Sequence, residues 1–188
     1  RDILHLDSSN IQPEEWQTIA RHVFENRMEY SGIVITHGTD TMAYTPVLSF
    51  MLRGISIPVV LTGAQLPMAH PLSDDMEICG TALTMAASGV PGVFLAFDRK
   101  VILGCRAVKT RTTDFDAFES VNWPLAANVD GKGLQIHREA ILPHLVDGEV
   151  AGLVEALGAH HHGHARPGGR LELGDQIPPD EVQPPSAE

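Results

Sequence analysis

Thr39, Asp40 and Thr41 follow directly on Gly38, at the end of the apolar run Ile33-Val34-Ile35. A hydroxyl beside a fixed carboxylate can act as a nucleophile or position a water, once a neighbouring group takes its proton. The plainer reading is a turn in which the threonine and aspartate cap the next helix. Two more polar stretches end apolar runs in the same way: Asp7-Ser8-Ser9-Asn10 and Thr62-Gly63-Ala64-Gln65. Ser8 and Ser9 could donate hydrogen bonds to an anionic ligand, although serines in such a loop more often serve the turn itself. Lys109 alone reads as a solvated lysine in a hairpin. His37 could do general-base work, yet its place before Gly38 suits strand-end geometry, and it is left out of the catalytic set.

The elements that must position these groups are legible as periodicity. Ile3 to Leu6 reads as a short strand. Pro13, Glu14 and Glu15 suit a helix start, and Trp16, Ile19, Ala20, Val23 and Phe24 fall on one helical face. A strand ending at Thr36 leads to a helix over roughly Thr41 to Arg53. Ile57 to Leu61 is a third strand, Asp74 to Ala87 a helix, Val93 to Phe97 a strand, and Lys100 to Val108 extended structure. The alternation of strand and helix predicts a parallel sheet with helices on both faces. Right-handed connections would then bring the polar strand mouths to one edge, where open α/β sheets bind ligands.

Composition narrows the function. A chain of 188 residues can bury a sizeable core. Its net charge of −11 disfavours binding to nucleic acid or to an anionic membrane surface. No apolar stretch is long enough to cross a bilayer. Cys79 and Cys105, without a Cys-x-x-Cys spacing, argue against a thiolate metal site and read as small core residues in a reduced, cytoplasmic setting. Val150 to Leu157 reads as a strand or a short helix. Beyond Gly158 come His160, His161, His162 and His164, then a proline-rich acidic tail that offers little to bury. Imidazoles there would bind nickel or zinc adventitiously, without a preorganised site.

Four segments in order resemble the bacterial-type L-asparaginase family: Asp7-Ser8-Ser9-Asn10 with Trp16; His37-Gly38-Thr39-Asp40-Thr41-Met42; Thr62-Gly63-Ala64-Gln65-Leu66-Pro67 with Ser73-Asp74; and Arg106-Ala107-Val108-Lys109-Thr110 leading into Thr112 to Phe118. The leucine-proline form of the third segment is more similar to the cytoplasmic type I branch. The resemblance implies an α/β fold, a parallel-sheet N-terminal domain over residues 1–124, followed by a linker and remnant of a smaller C-terminal α/β domain over 125–159 and a disordered tail over 160–188.

It also implies hydrolysis of L-asparagine to L-aspartate and ammonia, with L-glutamine as a second candidate substrate. Thr39, Asp40 and Lys109 would form one of the family's two catalytic threonine triads. Asp40 would hold the substrate's α-ammonium, Ser8 and Ser9 its α-carboxylate, and the backbone at Ala64 its amide. No cofactor or metal is implied, and the full-length family forms homo-oligomers.

One family signature is missing. The Thr-Gly-Gly-Thr motif, whose first threonine carries the acyl group, occurs nowhere in this sequence, so weak or no turnover is expected of the chain as written. Two alternatives follow. One is the ammonia-releasing subunit of a tRNA-dependent amidotransferase, and the other is a non-catalytic amino-acid-binding module that keeps Ser8, Thr39 and Asp40.

Overall fold

The computed structural model describes residues 3–4, 7–66, 70–71 and 73–141. Helix α1 (Pro13–Asn26) starts at Pro13, with Glu15 closing a capping box onto the Gln12 backbone. It buries Trp16, Ile19, Ala20 and Val23, the face that the sequence periodicity predicts. Strand β1 (Ile33–Thr36) follows. A 3-10 turn (Met42–Tyr44) then precedes α2 (Thr45–Met51). The helix expected from Thr41 thus begins later, with Pro46 in its first turn, where the missing N–H costs nothing. Next come β2 (Pro58–Thr62), α3 (Asp75–Ala86) and β3 (Gly92–Phe97).

These three strands are mutually parallel in the order β1-β2-β3, with Ile33 beside Val59 and Val59 beside Val93. Along β2 the side chains alternate between the two faces of the sheet. Val59 and Leu61 join Trp16, Ile19 and Leu48 from α1 and α2. Val60 faces the other way, among Ala82 and Met85 of α3. Helices therefore cover both faces of the parallel part.

Beyond β3 the sheet is mixed. Strand β4 (Lys100–Leu103) returns antiparallel to β3 through a two-residue turn, Asp98 and Arg99, both at positive φ. That is the geometry of a tight hairpin. The extended stretch expected from Lys100 to Val108 is broken by a 3-10 turn, Gly104–Arg106, where Gly104 sits close under Ser49 and Thr45. Strands β5 (Ala107–Lys109) and β6 (Phe118–Ser120) make a separate antiparallel pair. Their root is held by buried Ala107, Ala117 and Phe118, with Phe118 packed edge-on against Phe97 at 4.9 Å.

Strands β7 (Ala127–Asp130) and β8 (Gly133–Ile136) complete the six-stranded sheet, β7 pairing with β4, before α4 (Arg138–Ile141). The start of the stretch read as a linker, 125–141, therefore carries strands of this same sheet. The rest of that stretch, Val150 to Leu157 and the histidine- and proline-rich tail lie outside the described residues. So do His5 and Leu6 of the strand expected over Ile3 to Leu6; Ile3 and Leu4 take part in no strand. Cys79 is half-buried, whereas Cys105 is exposed on the Gly104–Arg106 turn instead of in a core strand.

Among the described residues β1 pairs with β2 and with no second strand. Its residues are half-buried or exposed, while all five of β2 are buried. Along this edge runs a groove of about 760 Å³, lined by Ile19 and Val23 of α1, Cys79 and Leu83 of α3, and Ile3 and Leu4.

Candidate active site

The mouths of β1 and β2 are pressed together. The amide of His37 donates to the Thr62 carbonyl at 2.8 Å, extending the ladder by one residue. A Cβ on Gly63 would lie 2.0 Å from the His37 carbonyl oxygen, so only glycine lets the chains approach this closely. The Ser8 turn (Ser8–Asn10) meets the same place from the other side. The Thr41 hydroxyl donates to the Ser8 carbonyl at 2.8 Å, and a Cβ on Gly38 would lie 2.2 Å from Ser8 Oγ. Three segments far apart in sequence thus converge on one strand-mouth cluster.

Lys109, at the end of β5, completes it. Its Nζ stands 3.0 Å from Asp40 Oδ1 and 3.4 Å from Thr39 Oγ1. The lysine side chain is only 12% exposed and the Asp40 side chain 67%. The ammonium is therefore held largely off water while its carboxylate partner faces the solvent. Chemically it is a hydroxyl beside a lysine nitrogen able to relay its proton, next to an accessible anion able to hold a cationic ligand group.

The remaining predicted residues divide. Ser8 lies against Gly38 at the β1 mouth. Ser9 instead turns its hydroxyl and its backbone N–H onto Asp7 Oδ1, at 2.8 and 2.9 Å. Those two bonds hold the Asp7 carboxyl below its ordinary pKa. Ala64 is half-buried just past β2, between Gly63 and Gln65. His37 stacks on Trp16 at 5.1 Å, and its Nδ1 meets the Gly38 carbonyl at 2.8 Å. A carbonyl only accepts, so Nδ1 carries the proton. Burial lowers the His37 pKa, partly offset by the bond to Gly38, so this imidazole is neutral and packed at neutral pH.

Sequence reasoning assigned no role to Gln65 and Asp74. The Asp74 carboxylate accepts from the backbone N–H groups of Gln65 and Leu66 at 3.2 to 3.4 Å. The Gln65 side-chain amide donates to the Thr112 carbonyl at 2.6 Å. Only the presence of Asp74 in the third quoted segment hinted at this. Among the described residues no group of three or more His, Cys, Asp or Glu could hold a metal ion, and no helix is long and apolar enough to cross a membrane.

A parallel strand-helix core whose strand mouths bring Thr39 and Asp40 against Lys109 of the β5–β6 pair defines an α/β domain. Residues 1–142 match the family described as Asparaginase, N-terminal, and the chain belongs to that family. It is 51% identical over 150 residues to the L-asparaginase of Thermococcus kodakarensis, a match covering 79% of this chain and 45% of that protein. L-asparaginase 1 of Escherichia coli K12 is 44% identical over 121 residues, covering 63% of this chain and 36% of that one. The solved thermostable L-asparaginase from Thermococcus kodakarensis superposes with a TM-score of 0.74 at 50% identity, over 79% of this chain and 45% of that one. The chain therefore spans less than half the length of these relatives.

Proposed function

We propose that this chain carries one threonine-aspartate-lysine set of an L-asparagine amidohydrolase, with L-glutamine as the second candidate substrate. The observation that carries the proposal is the placement of Lys109 Nζ within reach of both Thr39 Oγ1 and Asp40 Oδ1 across 70 residues of sequence. Lys109 Nζ relays the Thr39 hydroxyl proton to the leaving nitrogen, and Thr39 in turn takes a proton from the attacking water. The water oxygen bonds the carboxamide carbon, the C–N bond breaks, and ammonia leaves with the transferred proton. Asp40 holds the α-ammonium, Ser8 and Ser9 bind the α-carboxylate, and the backbone at Ala64 faces the developing oxyanion. For Ser9 this requires its hydroxyl to leave Asp7.

A second reading has a specific support. The Asp40 carboxylate is accessible at the strand mouth, as a non-catalytic amino-acid-binding module that keeps Ser8, Thr39 and Asp40 would require. The wider proposal has a cytoplasmic, type I-like protein that assembles as a homo-oligomer, divided into segments 1–124, 125–159 and 160–188; such a division has to accommodate the pairing of β7 with β4.

The test is L-asparagine binding and ammonia release measured on the same 188-residue chain, with Thr39→Ala, Lys109→Met and Asp40→Ala beside it. If turnover occurs, loss of Thr39 or Lys109 lowers it by about 100-fold or more, the scale of positioned acid-base catalysis. Binding without turnover selects the module. Turnover unchanged in Thr39→Ala and Lys109→Met, or binding unchanged in Asp40→Ala, sinks the assignment.

A further inference from the structure

Lys109 belongs to a strand that the main sheet does not hold. Strand β5 pairs only with β6 among the described residues, and that two-stranded unit is rooted in the core through Ala107, Ala117 and Phe118. From Thr110 to Asp116 its tip is exposed or nearly so. The tip is closed on itself by Thr110 N–H donating to the Ala117 carbonyl and by Arg111 Nη1 donating to the Asp116 carbonyl. The ion pairs of Arg111 with Asp114, Asp116 and Glu119 are local and solvent-exposed, and the one from Lys100 to Asp116 is also partly exposed. Such pairs hold position weakly.

One bond ties the tip to the site by another route. Gln65 Nε2 donates to the Thr112 carbonyl at 2.6 Å, three residues beyond Lys109. The Gln65 backbone is itself pinned, since its N–H and that of Leu66 reach the Asp74 carboxylate at the start of α3, while Ser73 Oγ donates to the Leu66 carbonyl. The other amide atom, Gln65 Oε1, is buried with no hydrogen-bond partner among the described residues. A buried acceptor left unpaired is costly, and among the described residues the bond from Nε2 to Thr112 is the one hydrogen bond the Gln65 side-chain amide makes.

We propose that Gln65 is a positioning residue that ties the β2 mouth to the segment carrying Lys109 and so holds Nζ against Thr39 and Asp40. The inference rests on the reading of Thr39, Asp40 and Lys109 as the reacting set, and adds how that set is kept assembled. Gln65 acts through Thr112 and Lys109, so it touches no reacting atom.

The chain has three lysines, Lys100, Lys109 and Lys132, so nitrogen-15 spectra of the lysine ammonium groups resolve Nζ of Lys109, assigned by its loss in Lys109→Arg. Hydrogen exchange at that Nζ is measured in the intact chain, in Asp40→Asn, and in Gln65→Met and Gln65→Glu. Methionine removes the donor at similar length. Glutamate turns a carboxylate toward the Thr112 carbonyl, giving a second test should the methionine variant fold poorly.

Asp40→Asn and both Gln65 variants are expected to quicken Nζ exchange about threefold, the scale of one partly exposed ion pair, while cooperative unfolding persists. Exchange unchanged in the folded Gln65 variants, with Asp40→Asn quickened, overturns the proposal. No change in any variant removes the Lys109–Asp40 contact on which it depends. Failure of the amidohydrolase reading would show separately, as L-asparagine binding indifferent to Asp40→Ala, and leaves Nζ exchange untouched.

Discussion

Gly63→Ala is the sharpest perturbation of the strand-mouth cluster, because its neighbour is backbone. The added Cβ would fall 2.0 Å from the His37 carbonyl oxygen and 3.2 Å from its carbon. Relief requires the β1 mouth to move by about 1 Å, against the bond from His37 N–H to the Thr62 carbonyl and the ladder below it. Overpacking of this kind costs ~1–3 kcal/mol, which lowers the urea midpoint by roughly 1 M at the m-value of a domain this size. Gly38→Ala is the internal comparison. Its nearest atoms are Oγ and Cβ of Ser8, at 2.2 and 2.6 Å, both in one small side chain on a short turn. Its cost is expected at about 1 kcal/mol or less, and Ser8→Gly in the same chain should restore stability, a non-additivity diagnostic of direct contact. Ser8→Gly should do nothing for Gly63→Ala. Urea unfolding followed by tryptophan fluorescence measures all four variants. Gly63→Ala within ~0.3 kcal/mol of the parent, or rescued by Ser8→Gly, would refute the packing described here.

Phe118→Ala removes a fully buried ring packed edge-on against Phe97 at the root of the β5–β6 pair; a loss of about 3–5 kcal/mol is expected by denaturant titration, and a loss under ~1 kcal/mol would contradict that packing. His37 supplies a pH dependence. Its folded pKa lies below the ordinary imidazole value of 6.5, so the unfolded chain binds more protons and stability rises with pH. This contribution is complete above 6.5 and is lost as pH falls through that value toward the lowered folded pKa. His37→Phe keeps a ring on Trp16 and removes the titration. Stability compared at about pH 7.5 and 5.5 should therefore fall less in the variant than in the parent, and equal slopes would exclude the assignment.

What the sequence reveals and what it hides follow from how locally each feature is encoded. The face of α1 and the apolar runs of β2 and β3 are legible because periodicity and burial are repeated over several residues. The Thr39-Asp40 mouth is legible because it ends one such run. The reversal after β3 is not, since Asp98-Arg99 lacks the Asn-Gly or Asp-Gly signature of a tight hairpin. Asp98 tolerates the left-handed region, and Arg99 is tied through its guanidinium to Glu77 on α3, a tertiary contact. Likewise Gly104 breaks the β4–β5 stretch by close approach to α2, which exposes Cys105. Lys109 has no local signal and comes forward through the four-segment resemblance alone. Ser9 points to Asp7, an interaction two residues long that competes with any ligand. Gln65 was invisible because its partner, the carbonyl of Thr112, carries no side-chain identity at all.

If Thr39, Asp40 and Lys109 form one ligand-handling set, titration of the nitrogen-15-labelled chain with L-asparagine will show it. Saturable amide shifts are expected at Ser8, Gly38, Thr39, Asp40 and Ala64, abolished in Asp40→Ala while the fold persists. Saturable binding that leaves those residues unshifted, or that survives Asp40→Ala undiminished, would contradict it.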